Sequence, residues 1–131
     1  MQRMSKPEHD AQFTCTVKVQ HLDEQSDPQK GLYAYAYTVT IVNTGAATAQ
    51  LVARQWLITN GHGQTEEVRG LAVVGHQPVL KPGEQFEYTS WVRLETPMGT
   101  MRGIFHCMTE DAHAFEAPIP EFMLAPPQAL H

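Results

Sequence analysis

The sequence VRGLAVVGHQPVLKPGEQFEYTS, residues 68–90, decides the fold class of this chain. It opens with a glycine-containing run, GLAVVG at positions 70–75, that invites comparison with a phosphate-binding loop. Such loops hold pyrophosphate with the free N–H groups at the start of the helix that follows them. Here a Pro82-Gly83 turn follows instead, and apolar and polar residues then alternate from Phe86 onward. The stretch therefore predicts a loop between β-strands and excludes a dinucleotide-binding turn onto a helix.

The same two-residue alternation predicts strands along the rest of the chain. It is clearest from Tyr33 to Val42, where β-branched and aromatic residues support the assignment. The motif NGHG at positions 60–63 predicts a tight hairpin. Both faces of the segment 50–59 are apolar, which indicates a central strand in which a bulge is an option. Further strands are predicted to start at Phe13 and to cover 64–68, 86–93, 101–108 and 115–124.

These strands, with no segment of helical period, predict an all-β fold in a single domain of 131 residues. About seven to nine short strands favour an immunoglobulin-like antiparallel β-sandwich, with a closed barrel as the open alternative. Cys15, Trp56 and Cys107 imitate the immunoglobulin core, but Cys15 lies one strand too early for its disulfide. We therefore expect Trp56 to anchor the core and both cysteines to be buried free thiols.

The last predicted strand carries two local features. Its apolar phase jumps by one residue between Ile119 and Phe122, which predicts a bulge near Pro120 and Glu121. Pro118 and Pro120 cannot donate backbone hydrogen bonds, so they confine this strand to the edge of a sheet.

The net charge of −5 arises from nine basic and fourteen acidic residues without any Lys/Arg cluster. Nucleic acids and anionic membranes are held chiefly by clustered basic groups, so neither is an expected partner. The polar start of the chain lacks a signal peptide, and no apolar run is long enough to span a bilayer. We expect a cytoplasmic protein.

Two surface features are candidates for binding. The run 70–75 could form a nest of backbone N–H groups for an anion, and the candidate residues are Arg69, Gly70, Gly75 and Lys81. A purely structural loop is the favoured alternative. Trp91 shares the phase of the polar residues of its strand, so it is predicted to face outward, where it could contact a partner or cover a neighbouring side chain.

Catalytic and metal-binding patterns are weak in this chain. His106 and Cys107 are adjacent on a predicted strand, so they point to opposite faces and cannot both ligate one ion. His62 and His76 are expected to be solvated. Ser90 lacks a nucleophile elbow, and no carboxylate pair stands in a recognisable motif. We expect no enzymatic activity, no metal site and no cofactor.

The chain closely resembles the bacterial ApaG family, also called CorD, from Phe13 to the C-terminus. The segments that carry the resemblance are YTVTIVN at 37–43, RQWLITNGHG at 54–63, EEVRGLAVVGHQPVLKPGEQFEYTS at 66–90, ETPMGTMRG at 95–103 and PIPEFML at 118–124. With it we expect a flexible leader at 1–11, an ApaG domain at 12–125 and a C-terminal tail at 126–131.

The resemblance implies a fibronectin type III or immunoglobulin-like sandwich that acts as a non-enzymatic interaction module. Similar domains occur in F-box proteins and in a polymerase-δ-interacting protein, which implies a protein partner. The bacterial family is associated with cobalt tolerance and magnesium efflux, and with gene neighbours that act on diadenosine polyphosphates. The alternative function is therefore a nucleotide or pyrophosphate sensor.

That alternative depends on the loop at 70–75. Members of the family usually read GxGVVG there, a run proposed to bind pyrophosphate. Here Gly70 and Gly75 match the outer glycines, and Ala72 replaces the middle one. We expect the β-carbon of Ala72 to restrict a positive φ and the close approach of an anion. The position of Trp91 is one where a smaller residue is expected from the resemblance, so the family implies no role for it.

Overall fold

The computed structural model describes residues 11–127, which contain eight strands and two short 3-10 helices. The strands are β1 (Phe13–His21), β2 (Tyr33–Asn43), β3 (Ala49–Asn60), β4 (Thr65–Leu71), β5 (Val79–Leu80), β6 (Gln85–Leu94), β7 (Gly99–Thr109) and β8 (Ala114–Leu124). The 3-10 helices are Asp23–Gln25 and Pro28–Lys30. None of the helices described is long and apolar enough to cross a bilayer. The predicted leader and tail lie almost wholly outside the described residues.

The strands form two antiparallel sheets, which confirms the predicted all-β sandwich and removes the barrel alternative. One sheet has the order β1-β2-β6. The other has the order β4-β3-β7-β8, and the short strand β5 pairs with the start of β3. The chain passes from one sheet to the other after β2, and again between β5 and β6 and between β6 and β7.

Aromatic side chains from both sheets fill the space between them. Trp56 is 2% exposed, which confirms it as a core residue. Its indole ring makes edge-on contacts with Tyr37 of the smaller sheet and with Phe105 and Phe122 of the larger one, at centroid distances of 5.3, 6.3 and 6.0 Å. Because edge-on pairs favour aromatic rings beyond their buried area, this cluster holds the two sheets in a defined relative position.

Strand β3 contains a bulge, which the apolar character of both its faces had indicated as an option. Leu51 pairs with Cys107 and Ala53 with His106, so Val52 is the extra residue. The bulge changes the phase of the strand, which places Ala49 and Leu51 inward before it and Trp56 inward after it.

The features predicted for the last strand are confirmed. On β8, Ile119 and Phe122 pair with Gly103 and Met101 of β7, which leaves one extra residue at positions 120–121. Strand β8 pairs with β7 alone and forms the edge of the larger sheet. An edge strand forms ladder hydrogen bonds on one side only, so it tolerates the missing N–H groups of the two prolines.

Strand β4 is longer than predicted. The alternation indicated a strand at 64–68, but the ladder with β3 continues through Arg69, Gly70 and Leu71. The prediction that these three residues lie in a loop is therefore wrong. Gly70 is a weak strand former, but here the absence of a β-carbon leaves room for the Arg54 side chain that crosses over it.

Asn43 joins two of the three crossings between the sheets, the one after β2 and the one before β6. Its side chain is buried and its amide donates to the carbonyls of Ala47 and Leu80 at 2.9 and 2.8 Å. Its side-chain oxygen accepts from the N–H of Gly45, and its backbone pairs with Gly83 and Glu84. One side chain therefore satisfies polar groups of both the turn after β2 and the turn before β6.

We expect Asn43→Ala to lower the free energy of unfolding by about 2–3 kcal/mol, because it leaves buried backbone groups of both turns without partners. Urea denaturation measures this loss. Gln20→Ala, at an exposed position of β1, is the control and should change the free energy by less than about 0.5 kcal/mol. Equal effects of the two substitutions would contradict the role assigned to Asn43.

Cys15 and Cys107 are both free and buried, as predicted. Burial raises the pKa of each thiol to about 12. Because the thiolate is the reactive form, both cysteines are expected to be inert in the folded protein.

In the native protein at pH 8, neither thiol should react with a disulfide reagent, and both should react after denaturation in guanidinium. Above pH 9 the unfolded chain ionises its thiols while the folded chain does not, so the unfolded state binds fewer protons and stability falls as pH rises. Between pH 8 and 10 we expect a loss of roughly 1 kcal/mol per thiol, measured by urea denaturation. The free energy of unfolding of a Cys15→Ala/Cys107→Ala variant should fall less between pH 8 and 10. If its pH dependence equalled that of the wild type, this account would be contradicted.

Candidate functional site

The glycine-containing run is built into the fold through Val73. This side chain is fully buried in the core. The backbone groups of Val73 and His76 donate to each other at 2.8 and 2.9 Å, which closes a tight turn. Its two central residues, Val74 and Gly75, have φ of 49° and 83°. Positive φ at both central positions is typical of a type I′ turn, so the run forms a turn anchored by one buried side chain.

The bulge of β3 holds this turn in place. The Val52 carbonyl accepts from the N–H of Ala72 at 2.8 Å and from the side-chain amide of Gln77 at 2.9 Å. The backbone of Leu51 donates to the carbonyl of Pro78. The segment between β4 and β5 is therefore fastened to β3 at both of its ends.

Arg54 is the principal residue that the sequence analysis missed. Its Nη1 donates to the carbonyls of Leu71 and Ala72 at 2.9 and 2.8 Å. The guanidinium lies over Gly70, where an added β-carbon would be only 2.8 Å from Nη1. Arg54 shares the inward face of β3 with Trp56, and a charge there requires hydrogen-bond partners. A charged residue in a strand predicted to be central was the signal that could have identified it.

The structure corrects the expectation for Ala72. Its β-carbon was expected to restrict a positive φ, but Ala72 has a φ of 66°. The hydrogen bonds to its N–H and carbonyl groups hold it in the left-handed region, which costs a non-glycine residue of order 1 kcal/mol. The tertiary contacts therefore override the local preference of alanine.

The predicted anion-binding residues are not gathered at one point. Arg69 in β4 pairs with Gln55 of β3. Lys81 directly follows Leu80, which pairs with Ala49 of β3. Six residues of strand separate those positions on β3, which is roughly 20 Å. Gly75 lies in the exposed turn and Gly70 lies under Arg54. The N–H groups of Ala72 and Val73 donate within the protein, so an anion nest would depend on those of Val74 and Gly75.

A chain of polar side chains crosses the outer face of the larger sheet. The Glu67 carboxylate accepts hydrogen bonds from Arg69 at 3.0 Å and from Gln55 at 2.6 Å. Both lower the pKa of Glu67, and the bond from Arg69 has the larger effect. The other end of the Gln55 amide contacts Nε2 of His106 at 3.2 Å. Nδ1 of His106 lies 3.9 Å from Glu116 on the edge strand. This arrangement links four strands on a solvated surface.

The outer face of the smaller sheet carries the second candidate. Trp91 is 73% exposed and points away from the core, as its phase predicted. It lines a shallow depression of about 510 Å³ together with Leu22, Gln25, Ala34, Val92 and Arg93. Ala34 is buried although it lies on the outer face of β2. The depression therefore combines an apolar floor with polar groups at its rim.

The histidines are dispersed. Cys107 is buried while the neighbouring His106 ring is 43% exposed, which confirms that they face opposite sides of β7. His62 and His76 are exposed, as expected. Within residues 11–127, no group of three or more His, Cys, Asp or Glu side chains is arranged to hold a metal ion.

Comparisons with known proteins agree with this fold. The family model described as the ApaG domain matches residues 23–109. Protein ApaG of Ralstonia nicotianae is 57% identical over 120 residues, covering 92% of this chain and 97% of that protein. Protein ApaG of Bordetella pertussis is 50% identical over the whole of both chains. The crystal structure of the ApaA protein from Bordetella pertussis superposes with a TM-score of 0.88, at 52% identity, over 90% of this chain and 96% of that one.

We expect Arg54→Lys to loosen the turn at 73–76, because a single ammonium group replaces the guanidinium that donates to two adjacent carbonyls. The free energy of unfolding should fall by about 1–2 kcal/mol, and amide exchange at Val73 and His76 should accelerate. Arg69→Lys, which removes a guanidinium from the outer face, is the matched control and should leave both amides protected. Equal protection in both variants would contradict the role of Arg54.

Proposed function

The chain belongs to the ApaG family, and from that premise we propose that it is a non-enzymatic binding module whose partner is a protein. The observation that carries the proposal is the 73% exposure of Trp91 in the middle of a regular strand. Tryptophan is enriched among the residues that dominate binding energy at interfaces. A large apolar side chain kept in solvent by a rigid sheet is poised to bury its surface against another molecule.

The surroundings of Trp91 support a protein rather than a small ligand. The depression beside it is shallow, and its apolar floor of Leu22 and Ala34 is flanked by Gln25 and Arg93. An apolar centre with a polar rim is the usual composition of a protein interface. Small-molecule sites are more often deep clefts that enclose most of the ligand.

We propose that the protein acts in the cytoplasm, and that the family's link to cobalt tolerance and magnesium efflux is an indirect effect of binding such a protein partner. The scattered histidines support this choice over direct metal handling, because a bound ion needs several ligands at one point.

A nucleotide or pyrophosphate sensor is the second candidate, and one observation favours it. Val74 and Gly75 form an exposed turn with consecutive positive φ, and their N–H groups have no backbone partner within the described residues. Two such donors could contact one phosphate oxygen. The binding module remains the preferred function because the neighbouring N–H groups of the same run are already used inside the protein.

Affinity capture from cytosol with the wild-type chain and two variants tests the proposal. Trp91→Ser should abolish recovery of the partner, with a loss of at least about tenfold. Leu71→Ser is the matched control, because Leu71 is equally exposed, at 73%, on the outer face of the other sheet. Recovery that is unchanged by Trp91→Ser, or lost equally in both variants, would contradict this surface.

A titration with ATP, diadenosine tetraphosphate and Co²⁺ decides between the candidates. The binding module predicts unchanged amide chemical shifts at Val74 and Gly75. Saturable shifts at those two amides with a nucleotide would favour the sensor instead.

A further inference from the structure

Strand β6 is an unprotected sheet edge. It pairs with β2 on one side, without a register shift, from Gln85 to Leu94. Among residues 11–127, no backbone hydrogen bond reaches its other side. A long, regular edge with free N–H and C=O groups is a template for pairing with another strand.

The other three edges carry protective features that β6 lacks. Strand β8 has a bulge and two prolines, Pro118 and Pro120. Strand β1 lies beside β8, where the rings of Phe13 and Phe115 meet at 5.4 Å. Strand β4 has only seven residues, and charged side chains and a glycine occupy four of them. Strand β6 has ten residues, with neither proline nor glycine.

The sequence of β6 is complementary to itself when it is reversed. In an antiparallel pairing centred on Ser90, Glu87 stands opposite Arg93 of a second copy, and Arg93 opposite Glu87. Opposite charges directly across an antiparallel pair stabilise it, whereas like charges destabilise it. The same register sets Tyr88 against Val92 and Phe86 against Leu94, so the inner faces of both copies remain apolar.

We propose that the β6 strands of two copies of this chain pair antiparallel about a two-fold axis at Ser90, so that two three-stranded sheets join into one of six strands. This interface goes beyond the proposed protein partner and does not depend on it. A two-fold axis makes the contact isologous, so it closes at a dimer and does not propagate into a fibre.

Contacts at the two ends of β6 limit how many residues can pair with the β6 strand of a second copy. The His76 ring contacts that of Phe86 at 5.5 Å, and Thr96, just after the strand, accepts the N–H of Gly61 at 2.7 Å. The turns that approach from the larger sheet thus meet β6 at its two ends. The stretch between them, from Glu87 to Arg93, contains the two charges and the centre of the proposed pairing.

The pairing also changes the environment of Trp91. In the proposed register Trp91 stands opposite Thr89 of the second copy, and the two Trp91 side chains become diagonal neighbours. Diagonal side chains lie about 7–8 Å apart, within reach of large aromatic rings. Dimer formation should therefore alter the fluorescence of Trp91 and couple the two indoles in the near-ultraviolet circular dichroism spectrum.

Analytical ultracentrifugation of full-length charge variants tests the proposal. Wild-type protein should show a monomer–dimer equilibrium. Glu87→Arg and Arg93→Glu each create like-charge pairs and should raise the dissociation constant about tenfold or more. When the two variants are mixed, each opposite-charge pair is restored, so a heterodimer should form. The double variant Glu87→Arg/Arg93→Glu should recover self-association for the same reason.

Circular dichroism and urea denaturation would show that each variant is folded. A wild-type protein that stays monomeric at its highest soluble concentration overturns the proposal. Single variants that dimerise as well as the wild type, or a mixture that does not associate, also overturn it, because the dimer would then use another surface. A monomeric Glu87→Arg that still captures a partner through Trp91 would separate this interface from the proposed function.

Discussion

The bulge at Val52 is the constraint on which most of this structure depends. Strand β3 is the only strand described that pairs with three others, so its phase determines what faces the core across the larger sheet. The extra residue lets Leu51 and Trp56 both point inward although they are five positions apart. It also frees the Val52 carbonyl from the β7 ladder, and that carbonyl then holds the segment between β4 and β5.

The glycine-containing run gains its shape from these contacts. Val73 enters the core, and Arg54 donates hydrogen bonds to two carbonyls at the end of β4. A partly buried guanidinium without such acceptors would be costly, and carbonyls without donors would be costly as well. The arrangement therefore satisfies both needs with one residue. It also explains why Gly70 lacks a side chain, since the guanidinium occupies that space.

Two candidate binding features, the exposed Trp91 and the edge strand β6, lie on the smaller sheet. The outer face of the larger sheet carries linked polar side chains from Arg69 to Glu116 as well as the exposed Leu71, and the smaller sheet exposes Trp91 beside an apolar floor. The edge of that same sheet is long and regular. A rigid sheet loses little conformational entropy when it presents such a surface to another molecule.

The sequence by itself determined what depends on a two-residue period and on turn chemistry. The sandwich class, the hairpin at 60–63, the bulge in β8 and the outward direction of Trp91 followed from local patterns, because successive side chains of a strand point to opposite faces. The tertiary structure alone decided the extension of β4, the positive φ of Ala72, the role of Arg54 and the open edge of β6. Each of these depends on which distant strand lies alongside, and hydrogen bonds between residues far apart in the chain override local preference.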